Sequence, residues 1–267
     1  MFIIPAPKPI AFNIFGIPVY KYGVIMALAI FVAILVANKL FNSDKKVLKK
    51  DIIIEYAPII IILGILCARM YFCLLNSGYY FSHPLEIIDI RQGGLSIHGG
   101  IAGGLLSMVI IAFKEKISFL SLMDSTACAT FLGQAIGRWG NYFNSEAFGL
   151  PVANQSWGLF VPQNLRPVQY SDFSLFHPAF LYESCLDLIS FCLLLYIFKN
   201  FSHNCKGIVF FIYLILYSII RFSIEQIRID SALNIGSVPI AEIISVILFV
   251  IGIIGSCIVI KNNVKSL

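Results

Sequence analysis

Charge is what this sequence lacks. Only 12% of its 267 residues are Asp, Glu, Lys or Arg, against about a quarter in a soluble globular domain. A water-soluble surface cannot be covered at that density, so a soluble domain is excluded. A disulfide framework or a zinc site is missing as well. The cysteines are Cys67, Cys73, Cys128, Cys185, Cys192, Cys205 and Cys257. Their number is odd, none forms a Cys-x-x-Cys pair, and nearly all sit in apolar segments, where they read as small buried side chains. The formal charge of +5 is not gathered into an exposed basic stripe, so nucleic acid is not an expected partner. The first residues carry several prolines and Lys8 but no small-residue cleavage site after a short apolar core, and no cleavable signal peptide is expected. No internal repeat, direct or inverted, stands out.

What the chain has is apolar length. It is 59% hydrophobic, with a mean hydropathy of +0.88. A run of about 20 apolar residues crosses the hydrocarbon core as a helix. Seven such runs occur, near residues 18–40, 52–75, 95–113, 119–137, 178–198, 207–225 and 238–260. The expected fold is an all-α integral membrane protein of about seven transmembrane helices. It forms a single multi-pass domain over residues 1–267, with a long loop at about 138–177. The third run starts in the glycine-rich stretch from Gly93 to Gly104, which suits a re-entrant or loosely packed entry.

Lysine placement orients the spans. Lys39, Lys45, Lys46, Lys49 and Lys50 follow the first span, Lys114 and Lys116 the third, Lys199 and Lys206 the fifth, and Lys261 and Lys265 the last. The positive-inside rule makes that side cytoplasmic, with the N-terminus outside and the C-terminus inside. The opposite side carries Arg91, Arg138, Arg166, Arg221 and Arg228. Arginine offers a planar fork suited to phosphate and stays charged when partly desolvated, so the outer rim reads as an anion-binding face.

Three constellations fall on that side. The first is Gly137-Arg138-Trp139-Gly140-Asn141-Tyr142-Phe143-Asn144-Ser145-Glu146-Ala147-Phe148-Gly149. Ionisable groups near mid-membrane cost about 2.5–3.5 kcal/mol each, so the cluster reads either as a polar pocket for a phosphate ester or as an interfacial helix end with Arg138 snorkelling. If the helix continues past Gly137, Arg138 and Asn141 share a face. The second is Tyr217, Arg221, Glu225 and Arg228, spaced four, four and three along one helical stripe. Arg221 with Glu225 is either a plain intrahelical ion pair or a device holding Arg221 in a chosen pose. The third is His98 in Ser96-Ile97-His98-Gly99-Gly100, a structural hydrogen-bonder or a base working near neutral pH. Lesser features are His177-Pro178, leading to Tyr182-Glu183, and Tyr20 and Tyr22 at the start of the first span. Arg69, Asp124 and Asp187 are intramembrane charges whose partners the sequence does not name.

Taken together, these motifs resemble the bacterial prolipoprotein diacylglyceryl transferases. Gly137-Arg138-x-Gly140-Asn141-x-x-Asn144-x-Glu146 is similar to that family's signature, and Gly93 to Gly100 is similar to its histidine segment. His177 to Glu183, Tyr217 to Asp230 and Tyr22-Gly23 match further motifs in family order. The chain departs from the family after Asp230, where Gly236-Ser237 and Ala241-Glu242 stand in place of a Gly-Gln pair. The resemblance implies transfer of the diacylglyceryl group of phosphatidylglycerol to the lipobox cysteine thiol in the signal peptide of a preprolipoprotein. A thioether forms and glycerol phosphate leaves, at the outer leaflet of the bacterial cytoplasmic membrane and without a cofactor or metal. It further implies that Arg138 binds the lipid phosphate with Asn141 and Gly149, and that Arg221 stabilises the leaving group. Glu225, Tyr217, Asn144 and Arg228 are then orienting groups. His98, with Tyr22, draws the thiol proton; Glu146 either orients Arg138 or is an alternative base. The rival from another class is a multi-pass anion or lipid transporter, because intramembrane arginines and glycine-broken spans occur there too.

Overall fold

The structure, a computed structural model, describes residues 2–44, 49–89, 93–153, 156–202, 204–229, 234–235 and 238–264. Lys45, Lys46, Arg91, Asp230, Gly236-Ser237 and Lys265, which entered the orientation and motif arguments, lie outside the described residues. A strand β1 (Phe2–Ile4) and a hairpin, β2 (Ile10–Ile14) with β3 (Ile17–Tyr20), precede α1 (Lys21–Ser43). Then come α2 (Ile52–Leu75), the short α3 (Ser77–Ser82), α4 (Ile97–Glu115) and α5 (Phe119–Asn144). Strands β4 (Trp157–Phe160) and β5 (Leu175–Phe176) lead to α6 (Ala179–Phe201) and α7 (Ile208–Glu225). A last hairpin, β6 (Asn234–Ile235) and β7 (Val238–Pro239), precedes α8 (Ile240–Val264).

Each long helix coincides with one of the expected apolar runs. Among the described residues six are long and apolar enough to cross a membrane: α1, α2, α4, α6, α7 and α8. Their outward faces keep large apolar side chains in the open, among them Leu74, Phe113 and Ile189. A helix hydrophobic on all sides needs an apolar surrounding, and lipid supplies it. The chain is an all-α multi-pass membrane protein. The remaining long helix, α5, is less apolar because it carries Asp124, Gln134, Arg138, Asn141 and Asn144. It also runs past Gly137 to Asn144, so the loop expected from residue 138 begins at Ser145. Nothing in Arg138-Trp139-Gly140-Asn141 breaks a helix, and the polar run continues the same turns.

Contacts divide the chain into two compact units, Met1–Val36 with Asp124–Leu267, and Ala37–Met123. In the first unit α5 packs on α1 through a stripe of glycines. A Cβ added at Gly133 would stand 3.2 Å from the Ala33 Cβ, at Gly137 3.5 Å from the Met26 sulfur, and at Gly140 3.1 Å from the Tyr22 ring. Spacings of four and three keep these on one face, and small residues are what lets membrane helices approach. Asp124, wholly buried, turns out to be a cap supplied from another helix. Its Oδ2 accepts from the Gly207 amide at 2.7 Å and its Oδ1 from the Phe210 amide at 2.9 Å, at the N-terminus of α7. Ser202 Oγ adds a longer bond of 3.4 Å. The first turn of any helix leaves amides without intrahelical partners, and a carboxylate there also meets the positive end of the helix dipole.

The segment after α5 is a folded layer. β1 pairs parallel with β4, and β4 antiparallel with β5. Phe148, Leu159, Val161, Phe176 and Phe180 form its core, with Ile4, Tyr142, Tyr170, Leu181 and Ile229 packed around. Arg166, read from the sequence as part of an anionic-ligand rim, instead staples this layer: its Nε donates to the Val161 carbonyl and its Nη1 to the Ser171 carbonyl.

In the second unit α2 and α4 meet at glycine. A Cβ at Gly103 would stand 2.5 Å from the Leu63 carbonyl oxygen, and one at Gly99 would collide with the Cys67 carbonyl. Gly99→Ala is therefore expected to destabilise the protein by about 3 kcal/mol, the upper end of the overpacking range. Thermal unfolding in detergent micelles measures this. Gly104→Ala is the control, because its new Cβ meets nothing within 4 Å; equal losses from both would contradict the packing argument. Arg69 has neutral partners. It donates to the carbonyls of Glu86, Ile87, Asp89, Gly93 and Gly94, so all its bonds tether the segment leading into α4. Gly93 and Gly94 have φ of +83° and +74°, a backbone region open to glycine at little cost. Between α1 and α2, Asp51 Oδ1 accepts from Asn38 and Asn42, both at 2.8 Å. These bonds, Asn38's the larger, hold its carboxyl below the usual range.

Candidate active site

Three of the sequence motifs meet within the first unit, and backbone hydrogen bonds lace them together. After α5, Ser145 and Ala147 take left-handed conformations and turn the chain back. The Gly149 amide then donates to the His177 carbonyl at 2.8 Å, and the Leu150 amide to the Ile227 carbonyl at 2.7 Å. Gly149 also forms an antiparallel bridge with Arg228. A Cβ on Gly149 would lie 2.9 Å from both His177 Cβ and the Ile227 carbonyl oxygen. The structure thus gives Gly149 a junction role: its amide is committed to protein. The ends of the Arg138 motif, the His177 motif and the Arg221 stripe are held at one place.

Behind that junction lies an ion cluster drawn from α5, α6 and α7. Arg138 Nε stands 2.8 Å from Glu183 Oε2 and 3.9 Å from Asp187 Oδ2. Arg221 Nη1 stands 3.6 Å from Glu183 Oε1, and its Nη2 2.6 Å from Glu225 Oε2. The three carboxylates are almost fully buried, while the Arg138 and Arg221 side chains remain 22% and 17% exposed. Two guanidiniums thus face three carboxylates. In a low-dielectric interior each such charge needs close partners, because removing an ion from water costs several kcal/mol. Ser184 Oγ donates to the Ala135 carbonyl at 2.8 Å and fastens α6 to α5 beside the cluster.

The other expected site residues fall around it. Asn141, one turn beyond Arg138, donates through Nδ2 to Glu146 Oε1 at 2.9 Å. Glu146 therefore serves Asn141, and the carboxylates on Arg138 are Glu183 and Asp187. Tyr22 lies with its ring over Gly140. Tyr217 stacks on Tyr213, whose hydroxyl accepts from Gln134 at 3.3 Å on α5. Asn144 is the last residue of α5, and Arg228 follows the end of α7. His98 belongs to the second unit, in the first turn of α4, with its ring 6.2 Å from that of Tyr71. Among the described residues no group of three or more His, Cys, Asp or Glu is arranged to hold a metal ion.

Glu183 and Asp187 are the residues that sequence reasoning left without a role. A signal for them existed. They stand four apart on the apolar α6 and so on one face. Two carboxylates on one face of a membrane helix call for cations on its neighbours, and Arg138 and Arg221 are arginines carried by the two neighbouring helices, α5 and α7.

Comparison with known proteins accounts for the order of these motifs. Residues 9–258 match the family described as prolipoprotein diacylglyceryl transferase. The phosphatidylglycerol–prolipoprotein diacylglyceryl transferase of Clostridium novyi is 40% identical over 262 residues, covering 97% of each chain. That of Acaryochloris marina is 40% identical, covering 95% of this chain and 91% of its own. That of Bacillus cytotoxicus is 38% identical, covering 94% and 92%. With a family match across nearly the whole length and relatives of this similarity, the chain belongs to the prolipoprotein diacylglyceryl transferase family.

Proposed function

We propose that this protein transfers the diacylglyceryl group of phosphatidylglycerol to the lipobox cysteine thiol of a preprolipoprotein. A sulfur–carbon bond forms at the glyceryl carbon bearing the phosphate ester, and the carbon–oxygen bond there breaks. Glycerol phosphate leaves with the electron pair, and the thiol proton passes to a base. Family membership and the printed names of the relatives support this reading. The observation that carries it is the convergence of Arg138 and Arg221.

The chemistry asks for such a pair. The leaving group is an anionic phosphate ester on which charge develops, and preorganised cationic donors stabilise that charge. An arginine has five N–H donors, more than one carboxylate takes up, and both side chains stay partly exposed. In this reading Arg138 holds the lipid phosphate with Asn141 set beside it by Glu146, and Arg221, held by Glu225, stabilises the departing glycerol phosphate. The lipobox thiol has a free pKa near ~8.5 and needs a base. His98 is the proposed base, with Tyr22 assisting and Glu146 the alternative. The chain sits in the bacterial cytoplasmic membrane with seven spans, α5 included, its N-terminus outside and its C-terminus inside, as the lysine distribution supports. The transfer then occurs at the outer leaflet.

Purified protein incubated with phosphatidylglycerol micelles and a lipobox peptide tests the reading. Mass spectrometry is expected to find a diacylglyceryl addition on the cysteine. Transport of a solute by reconstituted protein without that addition would point to the transporter instead. His98→Gln is expected to lower the transfer rate by about 10²- to 10⁴-fold, the usual worth of a positioned base. Retained activity in that variant would remove His98 as the obligatory base while leaving the transfer reaction in place.

A further inference from the structure

We infer that Glu183 is a positioning residue for the transfer: one buried carboxylate that sets the spacing of Arg138 and Arg221, so that both guanidiniums act on a single phosphate. The inference rests on the proposed reading of those arginines as the phosphate grip. Its warrant is how the carboxylate is shared. Oε2 faces Arg138 on α5 and Oε1 faces Arg221 on α7. Each arginine also has a second carboxylate beside it: Asp187 beside Arg138, and Glu225 beside Arg221. Glu183 spans the two.

Burial gives the arrangement a direction. The Glu183 side chain is 1% exposed, against 22% for Arg138 and 17% for Arg221. The carboxylate stands at the back and the guanidiniums toward the surface, so an anion arriving from outside meets cations first. The base of the arrangement is also fixed. Glu183 lies one turn into α6, next to Ser184, which bonds to the backbone of α5. A short chain on a fastened helix can hold two partners at a set separation. Without it, the two like charges that flank it repel and separate, and a phosphate that needs both loses one.

Chain length separates this role from simple charge neutralisation. Glu183→Asp keeps the charge but withdraws the carboxylate by one methylene, about 1.5 Å. Aspartate can then neutralise the cluster and remain near one arginine without reaching both. Glu183→Gln keeps the length and loses the charge. The experiment measures kcat and KM for phosphatidylglycerol and for the lipobox peptide, with unfolding curves for each variant. Glu183→Asp is expected to stay folded and to lose about tenfold or more in kcat/KM for phosphatidylglycerol, while KM for the peptide moves less than about twofold. Glu183→Gln is expected to lose at least as much.

Wild-type lipid kinetics in folded Glu183→Asp would overturn the inference and leave the transferase reading standing. Unfolding of both variants would also overturn it, because Glu183 would then be a structural group. Absence of transfer by the wild-type chain would sink the functional reading itself, and this inference with it.

Discussion

Arg138→Ala is expected to lower diacylglyceryl transfer by about 10²- to 10³-fold, the cost of removing one preorganised donor to a developing oxyanion. Arg138 is held rigidly on α5. The helix is pinned to α1 at Gly133, Gly137 and Gly140, and the guanidinium is fixed by Glu183 at 2.8 Å. A donor held this way needs no reorganisation when charge appears on the phosphate. Arg138→Lys separates fork from charge: lysine keeps the cation but presents a point where arginine presents a planar pair of donors. It is expected to recover only a small part of the lost rate. The measurement is the initial rate of mass addition to a lipobox peptide, on protein whose unfolding curve is compared with wild type. Alanine also leaves Glu183 with Arg221 alone, at 3.6 Å, so some loss of stability accompanies the loss of rate. If Arg138→Ala kept half of the wild-type rate, the phosphate assignment would be wrong.

The second large effect concerns stability. Asp124→Ala is expected to destabilise the protein by about 3 kcal/mol, because a buried donor left unsatisfied costs about 1–3 kcal/mol and two amides lose their acceptor. Those amides, of Gly207 and Phe210, lie at the N-terminus of α7. Asp124 is fully buried, so water does not replace it readily. Asp124→Asn is the milder change: one amide oxygen can still accept, and the shape is kept. The order wild type, Asn, Ala in denaturation midpoint is the expected result. Because α7 carries Arg221 and Glu225 at its far end, a frayed α7 is expected to lower transfer as well. Equal stability of Asp124→Ala and wild type would refute the cap.

Much of this was legible because the bilayer simplifies the problem. Backbone polar groups must be satisfied within each spanning segment, so a long apolar run becomes a helix whatever its neighbours are. Among the described residues, each long helix appears where its run does. At α5 the two ends differ: the apolar run stops at Gly137 and the helix goes on to Asn144. Polarity marks where the apolar run stops, whereas the helix stops only where the backbone turns, at Ser145 and Ala147. The layer built from β1, β4 and β5 was hidden because it pairs residues 2–4 with 157–159, a separation that no local pattern reports.

The candidate site divides in the same way. Arg138, Asn141, Glu146, Arg221 and Glu225 were visible as charges and amides at helical spacing near apolar ends, and the pair of Arg221 with Glu225 lies within one helix. Partners on different helices were not visible. Arg69 showed in sequence as a charge in a span, and only the fold brings five carbonyls of residues 86–94 around it. Asp124 was an unexplained carboxylate until α7 set its N-terminus on it. Periodicity along one chain thus determined the class, the spans and the residues able to do chemistry, because those follow from local transfer energies and helical geometry. Which charge meets which was decided by tertiary packing, because an ion pair across helices depends on how α5, α6 and α7 approach. That approach is set by small residues and buried carboxylates far apart in the chain.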